Sequence, residues 1–488
     1  MSTDWNEQRY YDLMVKGLSN HVLFILALLL CAAPLKASPS DLDHLVQAVQ
    51  KNRVHIDMNR TTLTIHFSST ADPGIRAWGG ANKADRIDEL TVVKGSTGAL
   101  ITRSSPEGDT PLPRISVDIR LRTNQELVVV GTDLDLMILN DPEAPNPDDM
   151  PTSPQIDVAN SSVRCIGQIP SRLVAIGSTI DLEGGTGDIH LELESSQVEI
   201  RQLLGNIDAE TVGGDLRVKV SEGRFTANIS QGTLLADGIT GPLSIQLQDA
   251  SADLQDCQGQ TMITGQSSDV GIYGLSAPRL TVRGSDLRVT AARLNSPSSF
   301  LLASSTVDLQ DLNGDLTLRL TEGCQIEAED LFGEVGFHIE GPGSWAQLSK
   351  LNGPLHAYVA DGHLGVENAE SLDIECRHAD IELTNIRSLG KVLSQACTLQ
   401  LDLPESATKP FLNLSEGSQA TATLGQPCLV EANGKGGNLQ LAVTVLGCNL
   451  KNARSGRATA KSRLTKKAAV TLRANVDGTS TLDVVSSP

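Results

Sequence analysis

The chain reads as an all-β protein: a parallel β-helix, or β-solenoid, with a β-rich N-terminal region and a C-terminal cap. Three observations lead there. From Ile189 an apolar strand opens every ninth residue, at Ile189, Val198, Ile207, Leu216, Phe225, Leu234 and Leu243, with weak beats at Ala252 and Thr261 and a return at Val270. Glycine stands two residues ahead of seven of those ten openings (Gly187, Gly205, Gly214, Gly223, Gly232, Gly241, Gly259), and Ser196, Ala250 and Ser268 hold the other three. Within a beat apolar and polar residues alternate, as in Ile189/Leu191/Leu193 around His190 and Glu192, so one strand face is dry and the other wet. Strand, tight corner and strand at fixed pitch is the pattern of a coil that buries its core by stacking repeats.

Composition agrees with a narrow coil. The 488 residues suffice for one long solenoid with caps. Apolar residues make up 40% but aromatics only 3%, so aliphatic side chains must fill the interior. The net charge of −20 is uneven: residues 451–488 hold eight Lys/Arg against Asp477 and Asp483, a surplus of +6, which leaves −26 on the rest. An acidic body argues against nucleic acid as a partner, because phosphate neutralisation supplies most of that affinity.

Residues 1–37 read as a signal peptide. The apolar run Val22 to Ala33 is too short to span a bilayer comfortably, and Leu35-Lys36-Ala37 offers a cleavage site. The acid residues before Met14 suit a start at Met14, and Leu30 before Cys31 argues against lipidation there. Residues 38–111 form a β-rich N-terminal region, with a short helix over Asp41 to Lys51 and alternating strands at 54–58 and 63–67. Residues 112–403 form the solenoid, interrupted by a Pro/acid-rich insertion loop at 141–154 and a less regular passage near 284–304. Two beats per turn would stack Gly187, Gly205, Gly223, Gly241 and Gly259; three would stack Gly187, Gly214 and Gly241. The reading leans to three, a triangular coil of 27 residues per turn. Residues 404–450 are a cap over the last strand edge, and 451–488 a basic tail in which Ala468 to Val476 has the pattern for one more strand.

Past the signal, Cys165, Cys257, Cys324, Cys376, Cys397, Cys428 and Cys448 remain. Export permits disulfides, and the spacings 376–397 and 428–448 suit neighbouring turns; the alternative is that these thiols are small buried hydrophobes.

The run Val117-Asp118-Ile119-Arg120-Leu121, a polar corner and Glu126 to Val130, together with the corners Gly187-Asp188-Ile189, Gly214-Asp215-Leu216 and Gly314-Asp315-Leu316, resembles the adhesin-type β-strand-repeat family of bacterial exported domains. The resemblance covers residues 112–400. It implies a right-handed parallel β-helix, export and a role in adhesion, and it brings no catalytic residues.

Most acids occur singly at outward strand positions, the distribution of a solvated face rather than of a glycosidase pair. The densest constellation is His338, His356, Asp361, His363, His378 and Asp380, of which His338 and His356 would stack in 18-residue turns. No zinc, nucleotide or nucleophile motif is present, and no metal or cofactor is expected. The sequence therefore points to a non-enzymatic, exported surface-binding or scaffold solenoid, periplasmic, outer-surface or secreted in a bacterium. Its expected partner is a cell-surface glycan or an envelope protein. Two alternatives stand beside it. One is a carbohydrate-active enzyme using the histidine patch. The other is an envelope sensor whose Arg454, Arg457, Lys461, Arg463, Lys466 and Lys467 touch anionic lipid as a peripheral contact.

Overall fold

The computed structural model describes residues 51–68, 73–79, 84–94, 98–103, 113–140, 153–403, 411–424, 428–435, 440–444, 448–453, 457–462, 470–477 and 479–486, with a few isolated positions before residue 51. The signal region before Leu35, most of the expected helix at 41–51 and the loop at 141–152 lie outside the described residues. The protein is a parallel β-solenoid of about 15 turns with almost no helix. Contacts group it into two compact units, Met1–Glu222 and Gly223–Pro488.

In the first unit Ile189 pairs with Ile207 and Val198 with Leu216, so one turn takes 18 residues. In the second, Phe225 pairs with Leu243 and Leu243 with Thr261, again 18 apart. This corrects the 27-residue turn favoured by the sequence. Two nine-residue beats close a turn because its third side is only a stub. Isolated bridges Thr240↔Gln258, Gln258↔Ser276 and Ser276↔Asn295 run along that stub. Each stub buries one side chain: Ile239, Cys257, Leu275, Leu294, Leu312, Leu331. The cross-section therefore has three sides, two long and one short. The passage at 284–304 is regular after all: Leu280–Ser285, Arg288–Asn295 and Ser298–Ala303 continue the ladders, and only a 19-residue step from Thr261 to Leu280 moved the sequence out of phase.

Two corner devices hold this register. At the corner from the stub to the next long side, glycines pack backbone to backbone. A Cβ on Gly241 would sit 2.1 Å from the Gly223 carbonyl oxygen, and one on Gly259 equally close to Gly241. With φ of +140° and +122° these positions are closed to other residues on two counts. At the corner between the long sides, small polar side chains point inward and form a ladder. Ser196 Oγ accepts the Ser178 N–H at 3.1 Å and donates to the Glu194 carbonyl at 2.9 Å. Ser178 does the same for Ser161, and Ser161 for Leu134. In the second unit Ser268, Ser305, Ser344 and Ser418 repeat the motif. A buried N–H at each corner would otherwise lack a partner, at a cost of about 1–3 kcal/mol.

The residue before each inward serine turns left-handed. Most such corners use Asp, Asn, Ser or Gly, which accept that conformation readily. At the other corner, where the second long side gives way to the stub, Val220 is a β-branched residue held left-handed, with φ +50° and 62% exposed.

Both ends depart from chain order. In the first unit the turn made of Arg53–Asp57 and Thr61–Ser68 is sandwiched between the later strands Gly98–Arg103/Ile115–Arg122 and Glu126–Thr132/Asp135–Asn140. The outer turn is then covered by antiparallel strands, Leu90–Lys94 on one side and Gly74–Gly79 on the other. Arg103 pins the inserted turn. Its guanidinium pairs with Glu89 at 2.7 Å and donates to the Arg60 carbonyl at 3.0 Å, with its side chain only 1% exposed. In the second unit Val470–Asp477 and Thr481–Ser486 slot between Phe411–Ser415/Gln419–Leu424 and the outermost Cys428–Lys435/Gln440–Thr444. Arg457–Ser462 then lies antiparallel on Cys428–Lys435. These antiparallel strands cover the parallel edges of Gly98–Arg103, Ile115–Arg122 and Cys428–Lys435 against extension by another coil.

Three outcomes are expected in denaturant unfolding. Ser196→Ala removes the acceptor for a buried N–H and should destabilise by about 1–3 kcal/mol. Glu89→Gln, which strips the charge partner from a buried guanidinium, should cost about 3 kcal/mol. Val220→Asn should instead stabilise by about 1 kcal/mol by relieving left-handed strain; a loss of stability there would contradict the assigned corner.

Candidate functional site: the histidine-rich wet face

The outward positions of stacked strands lie one above another at ladder spacing, so sequence positions one turn apart become side-chain neighbours. The wet face is accordingly stitched by ion pairs between turns. Arg172 meets Glu192 at 2.9 Å, Lys219 meets Glu199 at 3.1 Å, and Arg201 meets Asp181 at 2.5 Å. The Lys219 ammonium, donating to Glu199, holds that carboxyl below its usual range. Asp181 likewise raises the Arg201 guanidinium by accepting its hydrogen bond. These pairs explain why the acids looked solitary in sequence: their partners sit 18 or 20 positions away.

The histidine patch lies on the turns between Val335 and Thr384. His338 and His356 do not stack, correcting the expectation from their spacing. The corner Gly341-Pro342-Gly343-Ser344 lengthens this turn, and Val335 pairs with Leu355, 20 residues on. His338 therefore lies beside Tyr358, ring centroids 4.7 Å apart and 21° from parallel, while His356 sits over Gly336 and under Asp373. His338 Nε2 is 3.4 Å from Glu340, and His356 Nδ1 is 3.7 Å from Asp373.

Around the corner, His363 stacks on Trp345 with centroids 6.3 Å apart and is in register with Asp380. Asp361 and His378 occupy left-handed corner positions one turn apart, carboxylate to Nδ1 3.5 Å. The structure thus gathers the six residues on adjacent turns but sorts them into pairs. His338 lies between Glu340 and the Tyr358 ring, His356 between Glu334 and Asp373, and His378 beside Asp361, all partly exposed. Among the described residues no three His, Cys, Asp or Glu side chains are placed to hold a metal ion.

The remaining candidates divide by what is described. Arg457 and Lys461 lie on the strand Arg457–Ser462, described in its backbone, whereas Arg454, Arg463, Lys466 and Lys467 lie outside the described residues. Cys428 and Cys448 open two strands of the cap and their side chains lie outside the description. Cys165, Cys257, Cys324, Cys376 and Cys397 are free, buried thiols. Burial raises the Cys165, Cys257 and Cys324 thiols and keeps them unreactive. Cys324 Sγ takes a serine's place in the corner ladder, 3.5 Å from the Ser305 N–H. Sequence reading missed that ladder, although Ser161, Ser178 and Ser196 spell out its pitch.

No family model matches the chain, and no curated protein or solved structure matches it either.

Two measurements check this geometry. A double-mutant cycle on His338→Ala and Tyr358→Ala should return a coupling of about 0.5–1 kcal/mol, whereas His338 with His356 should return none. Glu199 has a depressed carboxyl in the fold, so its pairing with Lys219 contributes fully above the unfolded-state value and is lost as pH falls through the lower folded value. Glu199→Gln should therefore cost a few tenths of a kcal/mol at neutral pH and nothing in acid, read from unfolding midpoints against pH.

Proposed function

We propose that the protein is an exported, non-enzymatic solenoid that binds a surface, as an adhesin-like or scaffold protein, through its long acidic wet face. The observation that carries this reading is the cross-turn pairing of the outer side chains. Ionisable groups pair with neighbours along the ladder, each cation or imidazole with one or two carboxylates, as Arg172 with Glu192, Lys219 with Glu199 and His190 with Glu192 and Asp208. What such a face offers is length, stiffness and repeated polar contact. A cell-surface glycan or a basic envelope protein meets it at many weak points, and the sum sets the affinity. The apolar run at 22–33 and the resemblance to exported β-strand repeats support placement outside the cytoplasm.

Two experiments test this. Protease treatment of intact source cells should digest the acidic body without lysis if it is displayed; protection until the envelope is fully broken would remove export from the proposal. In a binding assay on the envelope fraction of those cells, alanine at any one of His190, Glu192, Asp208 or Asp373 should change binding by less than about threefold, and raising salt should weaken it progressively. Abolition of binding by one such alanine would point instead to a focused site.

A further inference from the structure

Cys376 and Cys397 are brought together by the register. Cys376 sits inward on the strand His363–Arg377, which pairs with the strand Ser388–Gln395 of the next turn, with Cys376 opposite Ser394. Cys397 follows two residues after that strand, at the inward corner position that Ser196 and Ser268 hold elsewhere, and its N–H donates to Ser418 Oγ at 3.2 Å. Both cysteines are sealed from water, at 2% and 3% exposure. The two thiols are hydrogen-bonding neighbours, with the Ser394 hydroxyl beside both, and Ser394 in turn donates to Ser418 Oγ at 2.6 Å. Cys397 Sγ also donates to the Gln395 carbonyl at 3.3 Å, as Cys257 and Cys324 donate to backbone carbonyls of their own and the preceding turn.

We propose that Cys376 and Cys397 form a redox-active pair that closes into a disulfide between successive turns when the protein meets a peroxide. The hydrogen bond from Cys376 pulls the Cys397 thiol down to about 7, against the opposing effect of burial, and raises Cys376, so Cys397 is the sulfur that ionises first. The Cys397 thiolate attacks hydrogen peroxide: an S–O bond forms, the O–O bond breaks, and hydroxide leaves to be protonated to water. Cys376 then attacks Cys397 Sγ, the S–S bond forms and the S–O bond breaks, and the departing hydroxide carries off the Cys376 proton as a second water. Two thiols are oxidised and one peroxide is reduced to two waters. A peroxide is small enough to reach a core closed to larger oxidants, and the resulting link staples adjacent turns near the C-terminal cap. The chemistry needs only the ladder register, so it holds whether or not the protein is exported.

The test uses the folded full chain. After brief hydrogen peroxide treatment the protein is denatured in iodoacetamide, digested and mapped by mass spectrometry without reduction. The expected product joins the peptides of Cys376 and Cys397, two hydrogens lighter than their sum, and separates on adding dithiothreitol. Alkylation of both cysteines, a bridge from either to another cysteine, or separate sulfinic acids at both positions would overturn the proposal. Cys376→Ser, checked for a native circular dichroism spectrum, should leave Cys397 as a sulfenic acid captured by dimedone. A folded variant with no capture would overturn Cys397 as the attacking sulfur. Should the variant not fold, the peptide map of the unaltered chain decides the question alone.

Discussion

Everything in this molecule depends on one constraint: each turn must lie on its neighbour in unbroken parallel register. A parallel ladder bonds every backbone group to the turns before and after it, so a residue's environment is fixed by what sits one turn away rather than beside it in sequence. Inward positions must stack apolar on apolar, as Ile189 on Ile207 and Phe225 on Leu243 do. Outward positions become charge-paired columns. Corners must close without leaving buried amides unpaired, and the serine ladder on one corner and the abutting glycines on another achieve this with the smallest side chains available. The aliphatic core supplies the bulk driving force. The corners set the pitch.

The same constraint explains what could be read from the sequence. Strand positions, inward and outward faces and the glycine corners are local, period-two or period-nine signals, and they were legible. The number of beats per turn was not, since nine divides both 18 and 27. The discriminating column, Ser161, Ser178 and Ser196, is made of residues that look like ordinary corner polar groups until their neighbours are known. Small departures from the pitch had large effects on side-chain neighbours. Lengthening one corner at Gly341–Ser344 was enough to exchange the expected His338/His356 pair for His338/Tyr358. The order of turns at the two ends was beyond reach, because nothing local tells Val470–Asp477 to pair between strands that precede it by some forty and sixty positions.

Intercalation at the ends bears on function. The segment read as a basic tail contributes Val470–Asp477 and Thr481–Ser486 to the body of the second unit, so its removal would take out a whole turn and expose new strand edges. In the first unit Arg103 and Glu89 clamp the inserted turn beneath its antiparallel cover. Terminal turns of a stacked protein are where it frays or joins another copy. Tying each to a distant part of the chain opposes that fraying.

The 18-residue register is tested most directly by deleting turns and following cooperative unfolding by circular dichroism. Removing residues 243–260 excises one full turn and restores Phe225 to a strand it can pair with, so the shortened chain should keep its β spectrum and melt close to the parent. Removing residues 243–269 takes out one and a half turns, places a long-side strand over the wrong side and should abolish cooperative folding. A chain that tolerates the 27-residue deletion and collapses on the 18-residue one would contradict the register and, with it, the pairing of every outward column described above.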